Sequence, residues 1–441
     1  MSINTYTYPN GLRIIYEKTN NIAPITSIYA FCDLGSVYEM DEYRGVSHFI
    51  EHMCFKGTKK LPVSMDISVK YDKIGAQLNA FTDKRYTCYT VKCENEYVEN
   101  CIEILSDMLT NSIFNKTEYK KEEKVVVEEN SRDIDDPKEI LFEEMDKLVY
   151  NGSSYENPVD NISYHKGHFD YKKVMEVYHS FYVPDRMVLS IVSNLSYSTV
   201  KKYINTTYFA LKPRGKGIPV KFHIQPNIYK QSDIKYSLVK KIGIETVHLA
   251  VGFQVERKDK YPLELLKNLL SGPMSSRLFT ILREENGVTY TSSISTDYYD
   301  EVGDFTIYAE MNYTKLLKND TKPGVLPLVI DLINDLIRYG VHTEEVQNTK
   351  GYMRGDIDIE LEDTDNIAEY NGSEHLMYPN EKIVPYNKIY ETYLKDIKKD
   401  EIDKVIRKYF VKENMCVSLV GNKLPSINVI KHECERIYKV K

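Results

Sequence analysis

Leu105-Ser-Asp107-Met-Leu109, followed by Thr117-Glu118, returns later in the chain as Ile333-Asn-Asp335-Leu-Ile337, followed by Thr343-Glu344. The step from Asp107 to Asp335 and the step from Thr117 to Thr343 agree to within a small loop difference. A repeat at that period means two copies of one unit, each filling about half of the chain. Both copies read as an apolar strand, a helix, paired alternating strands and two more helices. In the first copy the strands are Thr26 to Leu34 and Tyr86 to Cys93; in the second they are Val247 to Val255 and Asp304 to Met311. Helices follow with Ile102, Leu105, Met108 and Leu109, or Leu328, Leu332 and Leu336, at helical spacing. The expected fold class is α+β: two homologous domains, each a mixed or antiparallel sheet backed by helices. The stretch Leu211-Lys-Pro213-Arg-Gly215-Lys-Gly217-Ile-Pro219 has linker composition. It divides an N-terminal domain, 1–210, from a C-terminal one, 227–441, across a linker at 211–226.

Length and composition agree with that division. At 441 residues the chain suits two or three domains, and 42% apolar with 28% charged residues is ordinary for a globular protein. Net charge is −7 with both signs mixed along the length, so no basic stripe is available for phosphates and nucleic acid is not an expected partner. The opening MSINTYTYPNGLRIIYEK has neither the layout of a secretory signal nor that of a transit peptide. No run of 18 apolar residues occurs, so no membrane association is expected. The seven cysteines are odd in number and include no C-x-x-C pair. That favours free thiols in the cytoplasm or another reducing compartment, over a disulfide framework or a cysteine-held zinc.

The chemistry is concentrated in Gly45-Val-Ser-His48-Phe-Ile-Glu51-His52-Met-Cys-Phe55, whose HFIEH is the inverted order H-x-x-E-H of a zinc-peptidase helix. At about 100° per residue Val46, Phe49, Ile50 and Met53 form one apolar stripe, and His48, Glu51 and His52 fall together on the opposite face. Two histidines four apart reach a single ion. The glutamate between them is better placed to take a proton from metal-activated water than to enter the inner shell. A surface helix that happens to carry two histidines is the alternative.

A catalytic zinc wants a third protein ligand, and Glu122 to Glu129, EEKVVVEE, offers one. Glu122, Val125, Val126 and Glu129 share a face at i, i+3, i+4 and i+7, whereas Glu128 points away. A carboxylate on an apolar face needs a cation or donors. Asn115 with Glu118 is a suitable N-terminal cap. Taken alone, Glu129 reads better as part of a solvated acidic helix.

His48-x-x-Glu51-His52, followed well downstream by Glu129, resembles the insulinase/pitrilysin family of inverted-motif zinc metallopeptidases, in particular its two-domain branch of mitochondrial-processing-peptidase-like proteins. The likeness continues through Asn10-Gly-Leu-Arg-Ile, His52-Met-Cys-Phe-Lys-Gly-Thr58, Leu78-Asn-Ala-Phe-Thr82, Val125-Val-Val-Glu-Glu129, Phe181-Tyr-Val-Pro-Asp185 and Ser276-Arg-Leu-Phe279. It implies two homologous domains closing as a clamshell and one Zn²⁺ per chain. The zinc would be held by His48, His52 and Glu129, with Glu51 catalytic and Glu122 in a supporting hydrogen-bonding role. It also implies that substrate adds as a strand near Asn79, Ala80 and Phe81, where an ordinary core strand is the alternative. In the second half Arg283 and Tyr290 resemble the family's pair that binds the substrate carbonyl and its developing negative charge. Their plain reading is a helix-end arginine and a strand tyrosine.

The sequence departs from the family at Asp160, where Gly is common, at Ser193-Asn194, and at Cys54, read as core packing beside the zinc histidines. His165-x-x-His168 with His179 invites comparison with a second metal site, but Gly167 interrupts it and no carboxylate has a telling spacing. The expected function is a zinc metalloendopeptidase hydrolysing extended peptides or unfolded segments; the alternative is a non-catalytic scaffold member of the same family. The second half has no HFIEH, and the offset that carries Thr117 to Thr343 carries Glu129 to Gly355. That half therefore has another task. The resemblance implies that it contributes to substrate binding, and that a homodimer, or else a heterodimer, brings Arg283 and Tyr290 of one chain to the zinc of the other.

Overall fold

The computed structural model describes residues 3–41, 43–160, 168–215, 233–318 and 322–437. These residues form two compact units. The first comprises 1–131, 157–223 and 357–388, and the second 132–156, 224–356 and 389–441. The contiguous division at residues 210 and 227 therefore does not describe the packing, because each unit takes a helix from the other half of the sequence. Of the expected linker, residues 216–226 lie outside the described residues. At its start, the Gly215 N–H donates to Asp185 Oδ1 at 2.9 Å.

The first unit is built on six strands: β1 (Ile3–Thr7), β2 (Arg13–Lys18), β3 (Ile25–Cys32), β4 (Gln77–Thr82), β5 (Thr87–Glu94) and β6 (Met187–Ser193), in the order β1-β2-β6-β3-β5-β4. Only β2 and β6 pair in parallel. The second unit has β7 (Lys235–Lys240), β8 (Thr246–Glu256), β9 (Thr291–Ser295), β10 (Val302–Asn312) and β11 (Met415–Gly421), in the order β7-β11-β8-β10-β9. Its single parallel pair among these strands is β7 with β11. Strand for strand this is the β2-β6-β3-β5-β4 arrangement again, so the sequence repeat is a repeat of topology. The central strands β6 and β11 are buried at every residue, as strands covered on both faces must be.

Five helices of the first half matter for the site and its frame: α1 (Val46–Cys54), α2 (Ser64–Asp72), α3 (Val98–Asn111), α4 (Lys116–Asp135) and α5 (Pro137–Val149). By the repeat, α5 corresponds to the helix Thr364–Met377, and these two helices are exchanged. α5 covers β8 and β11 of the second unit with Leu141, Met145 and Val149 buried, whereas Thr364–Met377 covers β2, β3 and β6 of the first. Both contacts run over a glycine. A Cβ on Gly252 of β8 would stand 2.8 Å from the Met145 sulfur, and one on Gly372 would strike the ring of Phe31 in β3. The Phe31 side of the first sheet thus forms one core with Ile15, Val188, Val192, Ile367, Ala368 and Leu376.

Candidate metal centre

α1 begins at Gly45, which takes a left-handed φ of 80°, and the N-cap residue itself offers no side-chain bond. The buried Glu39 caps the helix from the preceding loop, accepting from the Gly45 N–H at 2.7 Å and the Ser47 N–H at 2.8 Å. A carboxylate at a helix N-terminus satisfies orphan donors and meets the positive end of the helix dipole. Burial pushes the Glu39 carboxyl up to about 7 against those two bonds. The stripe Val46, Phe49, Ile50 and Met53 is buried as its spacing requires. Phe49 fixes the helix against α4, its ring 4.8 Å from that of Tyr119 and edge to face.

α4 is capped by Asn115, whose Oδ1 accepts from the N–H groups of Thr117 at 2.8 Å and Glu118 at 3.4 Å. Its buried stripe is Tyr119, Glu122, Glu123, Val126 and Asn130, so the face lies slightly off the one drawn from sequence. Val125 is 39% exposed and belongs outside it. Glu128 is exposed, as expected, and Glu129 sits at the edge of the buried face.

The two helices bring the ligand atoms together. His48 Nε2 lies 3.1 Å from His52 Nε2, and His52 Nε2 lies 3.3 Å from Glu129 Oε2. Tetrahedral zinc with bonds of about 2.0–2.1 Å holds its ligand atoms about 3.3 Å apart, so the three atoms fit one ion. Among the described residues they form the one group of three or more His, Cys, Asp or Glu whose ligand atoms all lie within 4.8 Å of one another. His168 instead sits 2.7 Å from Glu123 Oε1, and His165 and Gly167 lie outside the described residues.

Around the triangle, the His52 Nδ1 is 2.9 Å from Glu122 Oε1, and Lys56 Nζ is 2.8 Å from Glu122 Oε2. Burial would raise the Glu122 carboxyl, but the bonds from His52 and Lys56 outweigh it and leave it below the usual range. Glu51 is buried beside the histidines and contributes no atom to the triangle. Its Oε2 accepts from the Thr82 hydroxyl at 2.5 Å. Burial raises the Glu51 carboxyl despite that bond and the two imidazoles. For His48, burial lowers the imidazole pKa, but the carboxylates of Asp160, Glu51 and Glu129 more than offset it and leave it raised. Cys54 is fully buried, and burial pushes its thiol up to about 12, as suits a packed side chain.

Thr82 ends β4, the open edge of the first sheet, so Asn79, Ala80 and Phe81 do stand on an edge strand. Asn79 Oδ1 accepts from the Ala80 N–H at 2.9 Å. Arg283 and Tyr290 belong to the second unit. Arg283 is exposed with its guanidinium 5.4 Å from the Phe279 ring centre, and Tyr290 is 59% exposed just before the edge strand β9. Sequence reasoning missed Glu39, Lys56 and Thr82, each of which acts on the site from outside the HFIEH pattern.

The family follows from comparison with known proteins. The profile of Insulinase (Peptidase family M16) matches residues 13–161, and that of the Peptidase M16 inactive domain matches 168–353. The chain is 31% identical to the uncharacterized zinc protease YmxG of Bacillus subtilis over 86% of its own length and 90% of that protein. It is 27% identical to the beta subunit of the mitochondrial-processing peptidase of Dictyostelium discoideum, over 67% of this chain and 64% of that one. A protease from Helicobacter pylori has the same fold, with a TM-score of 0.86 at 18% identity over 95% of this chain and 99% of that one. The chain belongs to the insulinase family of zinc peptidases, peptidase family M16. No helix of the described residues is long and apolar enough to cross a membrane.

Proposed function

We propose that the chain is a zinc-dependent metalloendopeptidase that hydrolyses peptide bonds in extended peptides or unfolded segments. The observation that carries this reading is the triangle of His48 Nε2, His52 Nε2 and Glu129 Oε2, with the Glu51 carboxylate held beside it by Thr82. Bound zinc supplies Lewis acidity, polarising a carbonyl and acidifying water. The chain's residues do the rest. Glu51 Oε2 is engaged by Thr82, which leaves Oε1 to take the proton of the attacking water and pass it to the departing amine. An extended substrate adds as a strand to β4 at Asn79, Ala80 and Phe81, its carbonyl replacing Asn79 Oδ1 at the Ala80 N–H. The peptide C–N bond breaks as the water oxygen bonds to carbon, giving a carboxylate and an amine. Arg283 and Tyr290 donate to the negative charge growing on the carbonyl oxygen, and a homodimer supplies them from the second copy.

Incubating the zinc-loaded chain with a peptide library, and profiling the products, tests the reading. Internal cleavage is expected from the native chain. Glu51→Gln should keep its zinc and lose activity by about 10²–10⁴-fold, the usual contribution of a positioned base. Absence of cleavage by the native chain, or activity within about tenfold in the variant, would overturn it.

A further inference from the structure

We propose that Asp160 is a positioning residue for His48, doing for that imidazole what Glu122 does for His52; the proposal rests on His48 being a zinc ligand. His48 Nδ1 and both carboxylate oxygens of Asp160 are buried and have no hydrogen-bond partner among the described residues. Nδ1 and Oδ1 face each other at 3.8 Å. A buried carboxylate without donors is costly, and so is a buried imidazole N–H without an acceptor. Each group is what the other lacks. Side-chain rotation of about an ångström closes the pair to a charge-assisted bond of about 2.8 Å.

The backbone places Asp160 for this. Its carbonyl accepts from Asn130 Nδ2 at 3.3 Å, and Asn130 follows the ligand Glu129 in α4. The segment carrying Asp160 is therefore tied to the helix that carries the third ligand. A proton held on His48 Nδ1 by Asp160 leaves the Nε2 lone pair directed at the point that His52 Nε2 and Glu129 Oε2 also face. Each imidazole then has its own carboxylate, Glu122 for His52 and Asp160 for His48, the pairing that fixes tautomer and ring orientation in zinc sites. Asp160 lies outside both HFIEH and the acidic run of α4, so the metal-binding pattern itself does not include it.

The test is zinc affinity, measured by competition with a chromogenic chelator on the full native chain, D160A and D160N. D160A should bind zinc about 10–100-fold more weakly. In D160N the side-chain carbonyl still accepts from Nδ1–H, so affinity should stay within about tenfold of native, below that range. In the zinc-loaded protein the low-field proton resonance of His48 Nδ1–H should persist in D160N and vanish in D160A. If D160A does not fold, D160N alone decides, through retention or loss of that resonance and of affinity. Native affinity in D160A, or equal losses in both variants, would overturn the assignment of Asp160 while leaving the metal centre intact. A native chain that takes up no zinc would overturn the centre itself, and this assignment with it.

Discussion

The hydroxyl of Thr82 donates to Glu51 Oε2 at 2.5 Å, so the last residue of an edge strand holds the carboxylate that lies between the two metal-facing histidines. Strand β4 and helix α1 are thereby registered beside the candidate metal centre. Thr82→Val keeps the shape and removes the donor. Its kcat is expected to fall about 10- to 100-fold, matching the roughly 1.5–3 kcal/mol of a hydrogen bond to a charged group. Metal content should not change. Steady-state kinetics with metal analysis on the same sample checks both, and zinc loss in the variant would mean that Thr82 supports the ligands and not the base.

Glu129 and Glu128 differ in what they face. Glu129 Oε2 is 3.3 Å from His52 Nε2, whereas Glu128 is exposed. Glu129→Gln should lose zinc on dialysis against a mild chelator, and Glu128→Gln should keep it. Equal losses would place the ligand face of α4 elsewhere.

His375 makes the first unit sensitive to acid. Burial, with the Arg13 charge as a second cause, holds its imidazole down to about 4 from an ordinary 6.5. The unfolded chain takes up a proton near 6.5 that the folded chain refuses until about 4. The stability from keeping His375 neutral is therefore complete above 6.5 and is lost as pH falls toward 4. Urea unfolding of the metal-free protein should show the native chain losing stability relative to His375→Asn across that window. A difference between the two that stays constant with pH would contradict this.

If Arg283 and Tyr290 act on the zinc of a second copy, two inactive chains should repair each other. A mixture of Glu51→Gln and Tyr290→Phe chains, after proven subunit exchange, should regain activity in the mixed dimer. No recovery, or an active protein that sediments as a monomer, would rule out sharing of the site.

Much of the site is legible in the sequence because it depends on helical periodicity, which is local. Val46, Phe49, Ile50 and Met53 are buried where their spacing puts them, and the histidines and Glu51 follow from that. The repeat of Asp107 and Asp335 likewise announces two sheets of one strand order. Periodicity is less exact on α4, where Val125 is exposed because Glu123 and Asn130 take its place in the buried stripe. Glu39, Lys56 and Thr82 lie beyond reach for another reason. Their partners are set by how a loop, a helix end and an edge strand converge, and no local pattern marks that. The helix exchange is hidden too: Leu141, Met145 and Val149 show that α5 has an apolar face, but not which sheet will cover it.

That exchange has a consequence for how the protein is made. The last strand of the first sheet ends at Ser193, but the helix that covers its Phe31 side begins only at Thr364. At a synthesis rate of about 5–20 residues per second the ribosome spends on the order of 10 to 30 s on the intervening chain. During that time Ile15, Phe31, Val188 and Val192 are without the cover that Ile367, Ala368 and Leu376 later give them. A nascent chain in this state offers an apolar sheet face to chaperones, and a message cut short before Thr364 yields a polypeptide that never closes its first core.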